Sequence, residues 1–196
     1  LPGVSTGIVA IAPISPTDSG SPLATNLALS FAEFGGRVAL VDANLRSGTV
    51  TTGLELPGPG LTDCLTGAST LDEALQPFDG FSVLPAGTAS DSPAELLGGR
   101  AYTKLIGDLS ARFDIVLIDA APLLPLSDAL FVASAADVTV LATASGEATA
   151  SHLRTAVDKL ESVHATIAGI VVLNAPGGGK DADAESSAFR DLAPRA

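Results

Sequence analysis

Ile11-Ala-Pro-Ile-Ser-Pro-Thr-Asp-Ser-Gly-Ser-Pro-Leu-Ala-Thr-Asn-Leu-Ala28 joins an apolar stretch of strand length to an amphipathic helix. That is where an α/β fold places a phosphate-binding loop, yet the segment contains no lysine. Such a loop needs backbone N–H groups that cradle phosphate, a helix N-terminus behind them, a lysine on the β/γ-phosphates and a hydroxyl for Mg²⁺. Laid on the pattern P-G-x-G-K-S-T, the segment keeps Pro16 and Ser21, puts Thr17 and Ser19 at the glycines, and puts Gly20 at the lysine. Asp18 adds negative charge and no Lys or Arg precedes Arg37, so a triphosphate is expected to meet repulsion. Pro22 removes a backbone donor from the first helical turn, and Ser21-Pro22 reads as an N-cap followed by proline at the first helical position. A serine that caps its own helix has less hydroxyl to offer a metal.

Outward from the loop, apolar runs of strand length alternate with helical periodicity, the signature of βαβ units and a mostly parallel sheet flanked by helices. The pattern predicts strands over 8–12, 38–41, 81–84, 115–118, 138–142 and 167–173, and helices over 23–34, 101–112, 127–135 and 149–162. Leu23, Leu27, Phe31 and Phe34 give the first helix one apolar stripe. The connection 46–75, rich in Gly, Pro, Thr and Leu, shows no strand and is expected to wrap an edge with short helices. Residues 1–174 read as one domain and 175–196 as a flexible, linker-like tail. Ligands of open α/β sheets bind beyond the carboxyl ends of the strands, which directs attention to residues 13–21, 42–46, 119–122, 143–145 and Asn174.

Composition narrows the function classes. The chain has 196 residues, 46% apolar, enough for one filled core. A net charge of −12, with ten scattered Lys and Arg, argues against nucleic acid and against direct adhesion to anionic lipid. A single cysteine, Cys64, allows no internal disulfide and reads as a small packing residue, which fits a reducing compartment. No apolar run approaches the ~20 residues of a membrane span. The start at Leu1 and the absence of Met suggest a piece cut from a longer polypeptide whose membrane segments lie elsewhere. His152 and His164 read as surface residues, and with no Cys/His cluster a zinc site is not expected.

Two further segments, Val38-Ala-Leu-Val-Asp42-Ala-Asn44-Leu-Arg46 and Ile115-Val-Leu-Ile-Asp119-Ala-Ala-Pro122, each put a carboxylate at the end of an apolar strand, as acids that hold Mg²⁺ and its waters are placed. In this order the three segments resemble the bacterial tyrosine kinase family of capsule and exopolysaccharide synthesis (Wzc/CpsD-like). That family is a branch of the deviant-Walker P-loop ATPases that includes MinD and ParA. Its second-strand motif resembles V-D-A-D-L-R and its Walker B segment I-I-D-x-P-P, so Asp42, Arg46, Asp119 and Pro122 match while Asn44 and Ala121 depart. Gly60-Leu-Thr-Asp-Cys-Leu-Thr-Gly67, Leu84-Pro-Ala-Gly87, Pro93-Ala-Glu-Leu-Leu97, Ser127-Asp128-Ala129 and Val172-Leu173-Asn174 are further family-like pieces.

The resemblance implies a MinD/ParA-type P-loop NTPase fold. It assigns the lysine, here Gly20, to the transferring phosphate and the second acid, here Asn44, to an ionised role near the nucleophile. An amide is no general base and glycine carries no charge. The family's kinases also phosphorylate a tyrosine-rich tail on neighbouring subunits, whereas this chain has one tyrosine, Tyr102, within a helix. No catalytic residue is therefore expected. Were a nucleotide retained, Ser19, Gly20, Ser21 and Asn174 would contact it, and Ser21, Asp42 and Asp119 would hold its metal. No cofactor is expected, Mg-ATP or Mg-ADP being the one implied if the site functions. For Asp42 and Asp119 the plainer role, capping strand ends, stays open. Arg46 either replaces the lysine or is simply solvated.

These features lead to a catalytically degenerate, cytoplasmic kinase-like domain at the inner face of the membrane. There it would regulate polysaccharide chain length or export with a membrane co-polymerase segment or subunit, on the same chain or another. A homo-oligomer, such as the rings that kinases of this family form, stays open. The alternative is an active tyrosine kinase or ATPase with an unconventional loop. A MinD-like positioning protein ranks lowest, because Ser15 stands at that branch's second lysine and the tail offers no basic amphipathic helix.

Overall fold

A computed structural model describes residues 7–16, 18 and 20–174; the expected tail, 175–196, lies outside the described residues, as do Thr17 and Ser19. Seven strands form one sheet in the order β3-β4-β2-β5-β1-β6-β7. The strands are β1 (Gly7–Pro13), β2 (Val38–Asp42), β3 (Gln76–Phe78), β4 (Phe81–Leu84), β5 (Ile115–Asp119), β6 (Val138–Ala144) and β7 (Ile167–Leu173). All pairs are parallel except β3 with β4. The helices are α1 (Ser21–Glu33), α2 (Thr49–Gly53), α3 (Leu61–Thr66), α4 (Leu71–Ala74), α5 (Pro93–Leu97), α6 (Arg100–Arg112), α7 (Asp128–Ser134) and α8 (Ala150–Ser162).

The alternation of side chains along a strand distributes the core between two faces. Ile11, Leu40 and Leu117 pack with Ala24 and Ala28 of α1 and Val50 of α2. Their neighbours Ala10, Val41 and Ile118 turn to the other face, against Leu61, Leu97, Ile106, Leu109, Val132 and Leu160 of α3 and α5–α8. Burial on both faces is why the central strands read as unbroken apolar runs. The connection 46–75 carries three short helices, as its composition suggested. Strand β3 was not foreseen. Asp79 (φ 35°) and Gly80 (φ 86°) form the two-residue turn between Phe78 and Phe81, in the left-handed region where Asp-Gly favours a tight hairpin.

Two of the family-like pieces serve to lock the fold. The Leu61 and Thr62 N–H groups donate to Pro85 and Ala86 carbonyls at 2.7 and 3.0 Å, and Asp63 Oδ2 accepts from the N–H groups of Gly60 (2.8 Å) and Thr88 (3.1 Å). The backbones approach so closely that a Cβ on Gly60 would stand 2.2 Å from Pro85 O and 2.4 Å from Gly87 N. Gly60→Ala is therefore expected to lower unfolding free energy by about 3 kcal/mol, because backbone cannot yield as a flexible side chain does. Urea titration checks this; a loss under ~0.5 kcal/mol, the scale of a neutral surface change, would show the contact to be compliant.

Candidate functional site

The carboxyl ends of β1, β2 and β5 meet at a crevice of about 220 Å³ whose lining includes Gly20, Ser21, Asn44, Arg46 and Thr49. The register places Asp119 level with Ile11 of β1 and with Asp42 of β2, so both strand-end acids lie beside the loop.

Ser21 is not the N-cap. Gly20 takes that position, in helical conformation (φ −82°, ψ −22°) and without a side-chain cap, and Pro22 lies in the first turn. The Ser21 hydroxyl is thereby freed to reach Asp119 Oδ2 at 2.6 Å, with Thr49 Oγ1 2.7 Å away. One hydroxyl has one proton. Ser21 gives its own to the carboxylate and accepts Thr49's. Thr25 returns a bond to the Ser21 carbonyl at 2.9 Å, fixing the turn.

The two acids have unequal surroundings. Asp42 is fully buried and accepts from Thr51 N–H (2.8 Å), Thr51 Oγ1 (2.7 Å) and Asn44 N–H (3.2 Å). Thr51 Oγ1 in turn accepts from Ala86 N–H at 2.8 Å, so Asp42 ties the ends of β2, α2 and β4 together. Asp119 Oδ1, in contrast, is buried without a hydrogen-bond partner. Burial, with a smaller contribution from Asp42's charge, pushes the Asp119 carboxyl up to about 7. Burial also raises the Asp42 carboxyl, against the pull of its donors.

The orphan oxygen faces the position of the missing lysine. A Cβ on Gly20 would stand 3.1 Å from Asp119 Oδ1, from the Ile11 methyl carbon Cγ2 and from Pro13 Cγ. Asp18 behaves differently from the free loop charge that the sequence suggested. Its Oδ1 accepts from Ala144 N–H (2.7 Å) and Thr143 Oγ1 (3.1 Å), and its Oδ2 from Ser15 N–H (3.0 Å) and Ser15 Oγ (3.1 Å). It pins the loop to the end of β6 while lining the crevice. Arg46 is neither simply solvated nor free to serve as a lysine substitute. Its Nε lies 2.6 Å from Asp128 Oδ2, an acid 1% exposed, joining two of the family-like pieces across the crevice rim.

Other candidate residues lie apart. Asn174 follows β7, exposed and with φ 53°, away from the crevice. Ser19 lies outside the described residues. Tyr102 is 1% exposed in the core, its hydroxyl without a partner and its acidity weakened by burial. His152 and His164 are exposed, as expected. Among the described residues no group of His, Cys, Asp and Glu is assembled for a metal. No helix among them is long and apolar enough to cross a membrane. Sequence reasoning missed Thr49 and Thr51, since two threonines in a Gly-rich connection carry no signal until α2 aims them at the acids.

The residues present do not fit a Mg-nucleoside triphosphate. Ser21 and Asp119 retain the spacing of a hydroxyl–carboxylate metal pair, but they are spent on each other. Among the described residues the phosphate side has no unpaired cation, one N–H fewer at Pro22 and an acid in the loop, so no catalytic step is derived through the group.

In strand order, helix placement and loop position this is the P-loop NTPase fold of the MinD/ParA type. MinD from Pyrococcus horikoshii, in complex with Mg-ADP, superposes with a TM-score of 0.74 over 97% of this chain and 79% of its own at 20% identity, a likeness of fold. The kinase domain of the Escherichia coli tyrosine kinase ETK gives a TM-score of 0.82 at 26% identity, covering 87% of this chain and 70% of that one. The tyrosine-protein kinase YwqD of Bacillus subtilis is 32% identical over 167 residues, 84% of this chain and 70% of YwqD. The chain belongs to the bacterial tyrosine-protein kinase family. Tyrosine-protein kinase Wzc of Salmonella typhimurium is 28% identical over 165 residues, which are 81% of this chain and 22% of Wzc. No family model matches the chain.

The buried acids set a pH dependence. Native Asp119 holds its proton up to about pH 7, whereas the unfolded carboxyl releases it near 4. Within that window the native state binds more protons, so this group's contribution to stability falls as pH rises from about 4 to about 7. Asp119→Asn removes that contribution. The stability difference, variant minus wild type, is expected to grow across this window and level off above it. Urea titrations of both proteins at stepped pH check this, and a pH-independent difference would contradict it.

Proposed function

We propose that this chain is a catalytically degenerate kinase-like domain that regulates polysaccharide chain length or export in cell-envelope glycan synthesis, from the cytoplasmic face and in contact with a membrane co-polymerase segment or subunit. The observation that carries the reading is the crowding at Gly20. The phosphate lysine is absent, and a Cβ at its position would stand 3.1 Å from side-chain atoms of Asp119, Ile11 and Pro13, tighter than ordinary contact. Tyr102, 1% exposed in the core, is no phosphoryl acceptor in this fold. Family membership supports the pathway, and the altered site supports the loss of chemistry.

A second reading, an active kinase or ATPase with an unconventional loop, is favoured by one feature. Ser21 and Asp119 remain side by side, 2.6 Å apart, and are residue types that would hold a Mg²⁺. The two readings part on phosphotransfer. With Mg-ATP and a poly-Glu-Tyr substrate the degenerate reading expects no label above a no-enzyme control, together with altered glycan length on deletion of the gene. Phosphotransfer abolished by Asp42→Ala would establish the second reading instead.

Restoring the lysine alone is not expected to restore the site. Gly20→Lys should lower the melting temperature by roughly 5 °C, the effect of overpacking a tight position in a chain of this size, and should gain no shift from Mg-ATP. A nucleotide-dependent rise in melting temperature would show that the loop opens readily.

A further inference from the structure

We propose that the open edge of the sheet at β7 is a docking surface for the chain's own carboxyl-terminal segment, residues 184–193, which turns back along β7 and covers the face beside α8 that the described residues leave bare.

Strand β7 ends the sheet and pairs with β6 alone. Its sequence, Ile167-Ala-Gly-Ile-Val-Val-Leu173, is an unbroken apolar run without a charge or a proline. Runs of this kind mark strands covered on both faces, whereas an edge left to solvent is ordinarily guarded by lysine, proline or an inward-turned charge. β7 thus has the sequence of a covered strand and the exposure of an open one. The parallel register sets Ile170 level with Leu141 and Val172 level with Thr143, and Leu141 belongs to the core that holds Ala156 and Leu160 of α8. Ile167, at the start of the strand, packs against that core. Ile170 and Val172 point to the same side, yet they are 45% and 51% exposed, two of the four large hydrophobic residues exposed among those described. The helical layer stops short of the second half of β7.

The sequence that follows β7 supplies a matching cover. Ala184, Ala188, Phe189, Leu192 and Ala193 recur at i, i+4, i+5, i+8 and i+9, the stripe of a helix that lies on a sheet. Asp181, Asp183 and Glu185 stand at its start and Arg190 and Arg195 at its end, the order that complements a helix dipole, and Pro194 follows the last residue of the stripe. Asp-Ala-Asp-Ala-Glu is poor in strand formers, so a helix on the face is favoured over an eighth strand at the edge. The reach suffices. Residues 175–183 can span up to about 30 Å, against roughly 23 Å for the length of β7. Asn174, with φ 53°, already turns the chain out of the strand direction, and Gly177-Gly178-Gly179 permits a reversal. A second copy is the weaker occupant. It would bring together two chains of net charge −12 and cost both their freedom of movement, whereas a tethered segment meets the face at millimolar effective concentration.

A nitroxide carried at Ser187→Cys in the full chain, with Cys64→Ala to leave one thiol, tests the placement through the broadening of backbone amide signals. Ser187 lies on the side of the stripe away from Phe189 and Leu192. Amides of residues 169–173 are expected to lose about half their intensity or more, and those of β3 and β4, at the opposite edge, to keep theirs. Adding Phe189→Asp and Leu192→Asp is expected to restore the β7 signals. A mixture of isotope-labelled chain without nitroxide and nitroxide-bearing chain without isotope is expected to show no broadening. Broadening in that mixture would give the face to a second copy, and broadening elsewhere or nowhere would leave it uncovered by this segment; each result overturns the proposal. In the otherwise natural chain, with Cys64 kept and no label, Phe189→Asp with Leu192→Asp is expected to shift the amides of residues 169–173 and to leave those of β3 and β4 in place. Unmoved β7 amides would overturn the proposal as well.

Discussion

The hydrogen bond from the Ser21 hydroxyl to Asp119 Oδ2, 2.6 Å and buried, ties the first residue of α1 to the end of the central strand β5, and the crevice is arranged around it. A hydrogen bond of this kind contributes about 1 kcal/mol, and more once Asp119 is ionised. Its position matters more than that figure. Thr49 donates to the Ser21 hydroxyl, which orients α2; Thr51, two residues along the same helix, then holds Asp42 and the Ala86 N–H, and so reaches the end of β4. From β4 the clasp of Gly60 with residues 85–87 carries the constraint on to α3. The ligand-binding end of the sheet is thus held by the chain's own side chains.

That self-sufficiency explains how two buried carboxylates persist without a lysine between them. A buried charge without a partner is costly, and a protein relieves the cost by pairing or protonation. Asp42 is paired, with three donors. Asp119 is half paired, and its acidity falls until it holds a proton near neutrality. The nearby cation does not help either acid, because Arg46 is committed to Asp128. The crevice accordingly offers a triphosphate little positive potential, which is the physical core of the non-catalytic reading.

Much of the fold was legible in the sequence because parallel strands buried on both faces leave unbroken apolar runs, and all six expected strands are present within two residues at either end. Strand β3 escaped because three residues including a proline show no period, although the Asp79-Gly80 turn was there to be read. The four short helices are defined by tertiary contacts, above all the Gly60 approach, and leave little periodicity. At the site, sequence order identified Ser21, Asp42 and Asp119, but partners were invisible. Asp18 read as a loose charge because Thr143 and Ala144 lie 125 and 126 residues away. Ser21 read as a cap because its competitor for the hydroxyl stands at the end of a strand 98 residues on.

Calorimetric titration of Mg-ADP and Mg-ATP into the chain is the most direct test, since the non-catalytic reading turns on whether the crevice still receives a phosphate chain. The account predicts no heat of binding up to millimolar nucleotide. Saturable binding that is lost in Ser21→Ala would contradict it, showing that the bond between Ser21 and Asp119 gives way to a metal and that the site is in working order.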